Sequence, residues 1–348
     1  MLTQDDLDPG PLFAGFERLS GLLVAVSGGP DSLTLMRLAR RWRDAGAGVA
    51  LRVATVDHGL RPDSGAEAAQ VGRWARELGL EHDILVWRGA KPAAGVQEKA
   101  REARYALLFD HARLIGAQAV ATAHHADDQW ETLLIRLARG SGIAGLSGMA
   151  RDQIMRGGRL VRPLLGLSKQ ALIDFCRREG QDFFDDPANA NPVFARARWR
   201  AVAPALHELG LTPERLEKLA ERARKADEAI EWAARDVFAR TKGPERNIFD
   251  LRPAEGAPQA VLERLLALIF AEIAGAAPAR LERLEVFAKN LRLARENGQP
   301  LRATLGGCAA RLDARGLLSL HKEKERRRGA PTSSVAARTS DFPGLPSD

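Results

Sequence analysis

Cysteine is nearly absent from this sequence. Only Cys176 and Cys308 occur in 348 residues, far apart and in no CxxC or metal-ligand spacing. That excludes a disulfide framework and a cysteine-held metal cluster, and it fits a reducing compartment. Long apolar runs are missing too. The longest apolar segment, residues 260–277, carries Glu263, Arg264 and Glu272, so it reads as an amphipathic or buried helix and not as a membrane span. The opening MLTQDDLDPG is polar and acidic and lacks the apolar stretch of a secretory signal. A cytoplasmic protein without membrane attachment is expected. No segment repeats another.

What is present describes a globular chain with ample core, 45% hydrophobic and 28% charged. Its length suits two domains, or one large and one small. The formal charge of +7 and a pI near 9.8 point toward a polyanionic partner.

The most informative stretch is GLLVAVSGGPDSLTLMRL at residues 21–38. Residues 22–26 form a short apolar run with strand propensity, broken by Ser27-Gly28-Gly29. Leu35, Leu38, Ala39 and Trp42 then recur at helical spacing. The pattern predicts strand, tight turn, helix. Two glycines allow positive φ and a close approach of backbone to ligand. The first amides of the helix are left without partners, and its dipole favours an anion there. Ser27 and Ser32 can add hydroxyl donors, and Pro30 suits the first helical turn. Asp31 stands where an acid would hold a magnesium ion. The lysine of a Walker A loop is missing, so this is not a P-loop of the usual ATPase kind. A glycine turn that merely caps a helix is the alternative.

Further along, strands are predicted at 50–56, 83–87, 119–123 and 159–164, with helices between them, including 96–114 and 129–139. Strand–helix alternation with short connections predicts an α/β fold with a doubly wound parallel sheet. Asp57 and His58 end the second strand, and His124, His125, Asp127 and Asp128 follow the fourth. Both sets fall where an open parallel sheet places its ligand crevice. Turn chemistry explains Asp57 and His58 equally well, and one of Asp127 and Asp128 is expected to cap the next helix. Ser168 is a plausible N-cap, with Cys176 a core residue of the helix that follows. Arg37, Arg40, Arg41 and Arg43 are expected to be solvent-facing charge. A long helix over 212–241 leads to a smaller α+β region with two helices and a terminal hairpin. The expected divisions are 1–210, a helical linker over 211–241, a smaller domain over 242–325 and a disordered tail over 326–348.

SGGPDS after an apolar strand resembles the pyrophosphatase loop, SGGxDS, of the N-type ATP pyrophosphatases, or PP-loop enzymes. Other segments resemble one family within that group, the tRNA(Ile)-lysidine synthetases. They are VDHGLR at 56–61, AREARY at 100–105, HADDQWETLLIRLARGSGIAGLSGM at 125–149, RPLL at 162–165, DDPAN at 185–189, FARARWR at 194–200 and TLGG at 304–307. The likeness covers about residues 20–205, and HxDDQxET followed by RxxxGSG is its most specific piece. Trp130 departs from the pattern only in size, and needs a local pocket.

The resemblance implies ATP-dependent joining of L-lysine to C2 of the wobble cytidine of the isoleucine tRNA with a CAU anticodon. ATP would activate the C2 oxygen as an adenylate, releasing pyrophosphate, and the lysine ε-amine would displace AMP. Residues 27–32 would cradle the triphosphate of ATP with Mg2+ on Asp31. His125, Asp127 and Asp128 would orient the lysine ammonium or take its proton. Arg104, Arg196, Arg198 and Arg200 would stabilise the adenylate charge or grip RNA, with a solvated basic face as the alternative for the last three. Asp57 and His58 would line the substrate side. A tRNA-thiolating enzyme of the same fold is the rival, but sulfur transfer needs a catalytic cysteine or a cluster near the crevice. Neither is legible here.

Overall fold

The computed structural model describes residues 7–89, 91–92, 95–185, 195–243, 245–278 and 280–323, with side chains of 195–197 left aside. The chain divides into two compact units, Met1–Glu228 and Ala229–Asp348, and the division falls inside one long helix.

The first unit opens with α1 (Pro9–Phe13) and the central strand β1 (Gly21–Ala25). Then come α2 (Pro30–Trp42), β2 (Ala50–Asp57), α3 (Ser64–Glu77), β3 (Glu81–Val86), α4 (Val96–Leu114) and β4 (Ala119–Ala121). The later elements are α5 (Ala126–Ala138), α6 (Ile143–Leu146), β5 (Asp152–Met155), β6 (Gly158–Val161), α7 (Lys169–Arg178), α8 (Ala195–Glu208) and α9 (Pro213–Arg240). The sheet runs β3-β2-β1-β4-β6-β5, parallel throughout except for β5 at the edge. The expected doubly wound α/β sheet is therefore the observed one.

Strand β1 shows why its sequence is a continuous apolar run. Leu22 and Val24 join a core with α1, α2, α3 and α7, while Leu23 faces α4 through Tyr105, Leu108 and Phe109. Leu22, Leu23 and Val24 are fully buried, each worth about 1.5–3 kcal/mol of transfer free energy. A parallel strand covered on both faces needs apolar residues at every position. β1 pairs with β2 on one side and β4 on the other. Strand order thus diverges at β1 and β4, the place where doubly wound folds bind ligands.

Two details depart from expectation. The last strand of this sheet is the second arm of a hairpin, since β5 precedes β6 across the turn Arg156-Gly157. The glycine-rich stretch after Gly140 contains a short helix, α6. Trp130 has the pocket it requires: it is buried with Leu133, Leu134, Leu216 and Ala220, and its Nε1 donates to the Leu211 carbonyl at 2.7 Å.

The second unit contains the last part of α9, then β7 (Ile248–Asp250), α10 (Gln259–Ala274) and α11 (Leu281–Glu296). The strands β8 (Leu301–Leu305), β9 (Cys308–Leu312) and β10 (Leu317–Lys322) complete an antiparallel sheet in the order β7-β10-β9-β8. The predicted terminal hairpin is β8–β9, turning at Gly306-Gly307 with φ of 58° and 73°. Leu305, Cys308, Ala310, Leu312, Leu318 and Leu320 face the helices in one core with Leu265, Ile269 and Phe270. The expected disordered tail and most of DDPAN lie outside the described residues.

Candidate active site

The register Val24↔Ala121 carries the chain out of β1 and β4 side by side at the same end of the sheet. Residues 27–32 and 122–128 therefore emerge as neighbours. The loop after β1 is held from within. Ser32 Oγ accepts from the amides of Ser27 at 3.1 Å and Gly28 at 3.2 Å, and it donates to the Gly29 carbonyl at 3.0 Å. Gly28 has φ of +89°, and a Cβ there would come within 2.6 Å of the Phe184 ring. The Phe184 amide donates to the Gly28 carbonyl at 2.9 Å, so a segment distant in sequence fixes the loop's conformation. Pro30 opens α2 as its first residue, with Gly29 as N-cap.

Asp31 sits on the first turn of α2, and both of its oxygens accept from Lys169 Nζ, at 2.7 and 2.8 Å. Behind the loop, Cys176 Sγ lies 3.4 Å from the Pro30 carbonyl and 3.3 Å from Thr34 Oγ1, fully buried. Burial pushes its thiol pKa up against the opposing hydrogen bond to Thr34. A thiol so placed packs the loop and cannot act as an exposed nucleophile.

His125 is the N-cap of α5. Its ring is 3.4 Å from Asp128, 3.5 Å from Asp127 and 3.7 Å from Asp31. Burial favours the neutral imidazole, but Asp127, Asp128 and Asp31 together outweigh it and raise its pKa. Neither acid is the N-cap that the sequence suggested: Asp128, at the third helical position, accepts from the His125 amide at 3.2 Å as the reciprocal half of a capping box. Asp127 instead accepts from the Lys169 amide at 2.8 Å and joins α5 to α7. Its pKa is lowered to about 2, first by the His125 hydrogen bond, with the Lys169 amide also contributing. His124 behaves oppositely: deep burial lowers it to about 3, despite the pull of Asp128. It is a neutral imidazole bonded to Thr122 Oγ1 at 2.9 Å.

Arg200, on α8, closes the acidic side. Its Nε meets Glu131 Oε1 at 2.5 Å, and Glu131 is only 1% exposed. Burial works against that guanidinium, yet Glu131, Asp128 and Asp127 raise its pKa. Arg104 is half-buried over the Tyr105 ring, and its charge helps lower both His58 and His124. The arrangement is a glycine loop at a helix N-terminus beside four carboxylates, one protonatable imidazole and three cations. Anionic nucleotide and cationic amine can be held next to each other here.

The PP-loop domain family matches residues 11–206. A tRNA(Ile)-lysidine synthase of Methylobacterium nodulans is 48% identical over 327 residues, covering 92% of this chain and 94% of that protein. A second, from Methylobacterium sp. (strain 4-46), is 46% identical with the same coverage. The chain belongs to the tRNA(Ile)-lysidine synthase family. Among solved structures, a U34-tRNA thiolase from Methanococcus maripaludis superposes with TM-score 0.51 over 58% of this chain and 71% of that one. At 14% identity that likeness concerns the fold alone.

Within this synthase family member, the structure brings residues 27–32, 125, 127, 128 and 200 together. Asp57 and His58 lie at the end of β2. The Asp57 side chain is occupied in a local turn, accepting from the Gly59 amide at 2.8 Å. His58 is driven neutral by burial, then by Arg104, and its Nδ1 is buried without a hydrogen-bond partner. Arg198 is exposed on α8, and the side chain of Arg196 lies outside the described residues. Arg37 and Arg41 are not the free solvent charges expected: both pair with Glu179, at 3.2 and 2.7 Å, tying α2 to α7. Sequence reasoning missed Lys169 and Glu131 as site residues. Glu131 had a signal, standing three residues after Asp128 and so on the same helix face. Lys169 had none, because only the tertiary fold brings it to Asp31. Among the described residues, no helix is long and apolar enough to cross a membrane, and no group of three or more His, Cys, Asp or Glu could hold a metal ion.

Proposed function

We propose that this chain joins L-lysine to C2 of the wobble cytidine of the isoleucine tRNA with a CAU anticodon, at the expense of ATP. The observation that carries the reading is the junction of β1 and β4, where the SGGPDS loop meets His125, Asp127, Asp128 and Glu131. The loop amides and the first turn of α2 would bind the triphosphate. The cytosine C2 oxygen attacks the α-phosphorus, the bond to the β-phosphate breaks, and pyrophosphate leaves. Arg104 and Arg200 would stabilise charge on the adenylate.

In the second step the lysine ε-nitrogen forms the new bond to C2, the bond from C2 to the AMP oxygen breaks, and AMP leaves. The same carboxylates that raise the pKa of His125 favour an ammonium group, which accounts for capture of lysine. The ammonium must shed a proton before attack. Asp128, or His125 in its neutral form, would accept it. Magnesium is implied by this chemistry, and a carboxylate at a phosphate loop is a donor type that the ion takes beside phosphate oxygens. Asp31 would hold it, and the ion would offset charge on the leaving pyrophosphate. The second unit would add RNA contacts through the open face of its sheet, where Arg302 and Arg311 stand exposed and opposite each other.

The test is lysine- and tRNA-dependent release of AMP and pyrophosphate, followed with labelled lysine. Asp128→Asn should retain ATP binding and lose lysine incorporation by about a hundredfold or more. Normal incorporation in that variant, or sulfur transfer by the wild type, would overturn the assignment.

A further inference from the structure

A cavity of about 570 Å³ lies between the segment following β3 and the outer side of α4, and the proposed reaction leaves it unused. Its volume is within the range of about 300–1,000 Å³ that small-molecule sites span. Trp87 and Pro92 give it an apolar wall, and Lys91, Lys99 and Arg156 give it three cations against one carboxylate, Glu102. Glu102 is engaged by Lys99 at 2.7 Å. Lys91 Nζ lies 3.9 Å from the centre of the Trp87 ring, so cation and indole form one surface.

Arg156 is the second independent observation. It occupies the β5–β6 turn with φ of 52°, and it is the one non-glycine residue with positive φ among those described. Two-residue hairpin turns with positive φ at both positions favour Asn-Gly or Asp-Gly, and arginine there costs conformational energy. Among the described residues Arg156 makes no hydrogen bond or ion pair, and its charge acts on Glu102, the carboxylate that Lys99 already holds. The strained backbone directs an exposed guanidinium to the cavity. Trp87 makes an edge-on contact with His58 at the end of β2, ring centroids 6.1 Å apart, and the charge of Arg104 acts on both His58 and His124 of the crevice. A flat apolar wall with a surplus of cations fits one ligand class, a nucleotide unit of a nucleic-acid strand.

We infer that this cavity takes a nucleotide of the substrate RNA flanking the modified base, with its base against Trp87 and its phosphate among Lys91, Lys99 and Arg156. The inference rests on the tRNA reading above. Here the strand would be gripped beside the crevice, and the wobble base would be fixed relative to its neighbour.

The experiment measures binding of the full chain to an unmodified transcript of the isoleucine tRNA over a salt series, with KM values for tRNA and ATP alongside. Arg156→Gly is the leading variant, because glycine adopts this turn without strain and the fold should be at least as stable. It and Lys99→Ala should each weaken tRNA binding several-fold at low salt. Each should also lower the slope of log K against log salt by about 0.7–0.9. KM for tRNA should rise with KM for ATP unchanged. Trp87→Ala should lose about tenfold or more in affinity, as expected for a lost stacked base. Wild-type affinity and slope in both Arg156→Gly and Lys99→Ala would overturn the site while lysine ligation by the wild type still stood. No lysine incorporation by the wild type would instead overturn the parent reading.

Discussion

His124 and His125 are adjacent in the chain and opposite in their response to protons. His124 is buried beside Thr122 with its pKa near 3, so the unfolded chain binds a proton at pH 5 that the native state refuses. Stability from this residue should fall as pH drops below about 6.5, by about 2 kcal/mol at pH 5. His125 has a raised folded pKa, so its contribution is fully present below the unfolded value and disappears as pH rises through the folded one. Urea titrations from pH 5 to 8.5 can separate them. His124→Asn should flatten the acid side of the profile. His125→Gln should cost most at acid pH and least at pH 8.5. Profiles parallel to wild type for both variants would show that the carboxylates around His125 and the burial of His124 do not set their charge.

At the scale of elements, α5 shows what a family signature is for beyond chemistry. Gln129 is buried and clasps Met149, donating to its carbonyl at 3.0 Å and accepting from its amide at 2.6 Å. Two turns on, Arg136 Nη1 donates to the carbonyls of Gly145 and Gly148 at 2.7 and 2.8 Å. Half of the motif thus folds its own glycine-rich loop. Gln129→Ala would leave both polar groups of Met149 without their partner and should cost about 3 kcal/mol. Calorimetry with an ATP-binding measurement decides this. Unchanged stability would refute the clasp, and ATP affinity should stay near wild type. The same helix marks what was legible in advance. Leu133, Leu134 and Leu137 announced it by their spacing as a core-facing stripe, of which Leu133 and Leu134 are buried and Leu137 is exposed. Its start was expected at Gln129, three residues late, because aspartate is a favoured N-cap and histidine an uncommon one, yet the cap is His125. The doubly wound parallel sheet followed from strand–helix alternation, whereas β5 is four residues of weak propensity stabilised only by pairing with β6. In the site, the SGGPDS loop and the acids after β4 could be read directly. Lys169, Phe184 and the pairing of Arg37 and Arg41 with Glu179 could not, since each depends on segments more than a hundred residues apart meeting in space.

For the molecule as a whole, the surplus of positive charge matters through where it lies. The formal charge of +7 spread evenly would give a diffuse field and little specificity. In the second unit one sheet face carries a pair of exposed arginines. β8 and β9 alternate buried and exposed residues, and the register sets Arg302 directly opposite Arg311. Among the described residues neither has an ion-pair partner. Like charges opposite each other on adjacent strands destabilise a sheet. Phosphate oxygens would relieve that repulsion. Arg302→Ser with Arg311→Ser should therefore leave the melting temperature unchanged or raise it. If each arginine neutralises one phosphate, the salt slope of tRNA binding should fall by about 1.5–2. The KM for ATP should not move, because the phosphate loop belongs to the first unit. Binding measured between 50 and about 200 mM salt gives the slope directly. A double variant with wild-type tRNA affinity and slope would remove this face from RNA recognition, and a raised KM for ATP would show that the change acts through the fold of the chain and not through RNA.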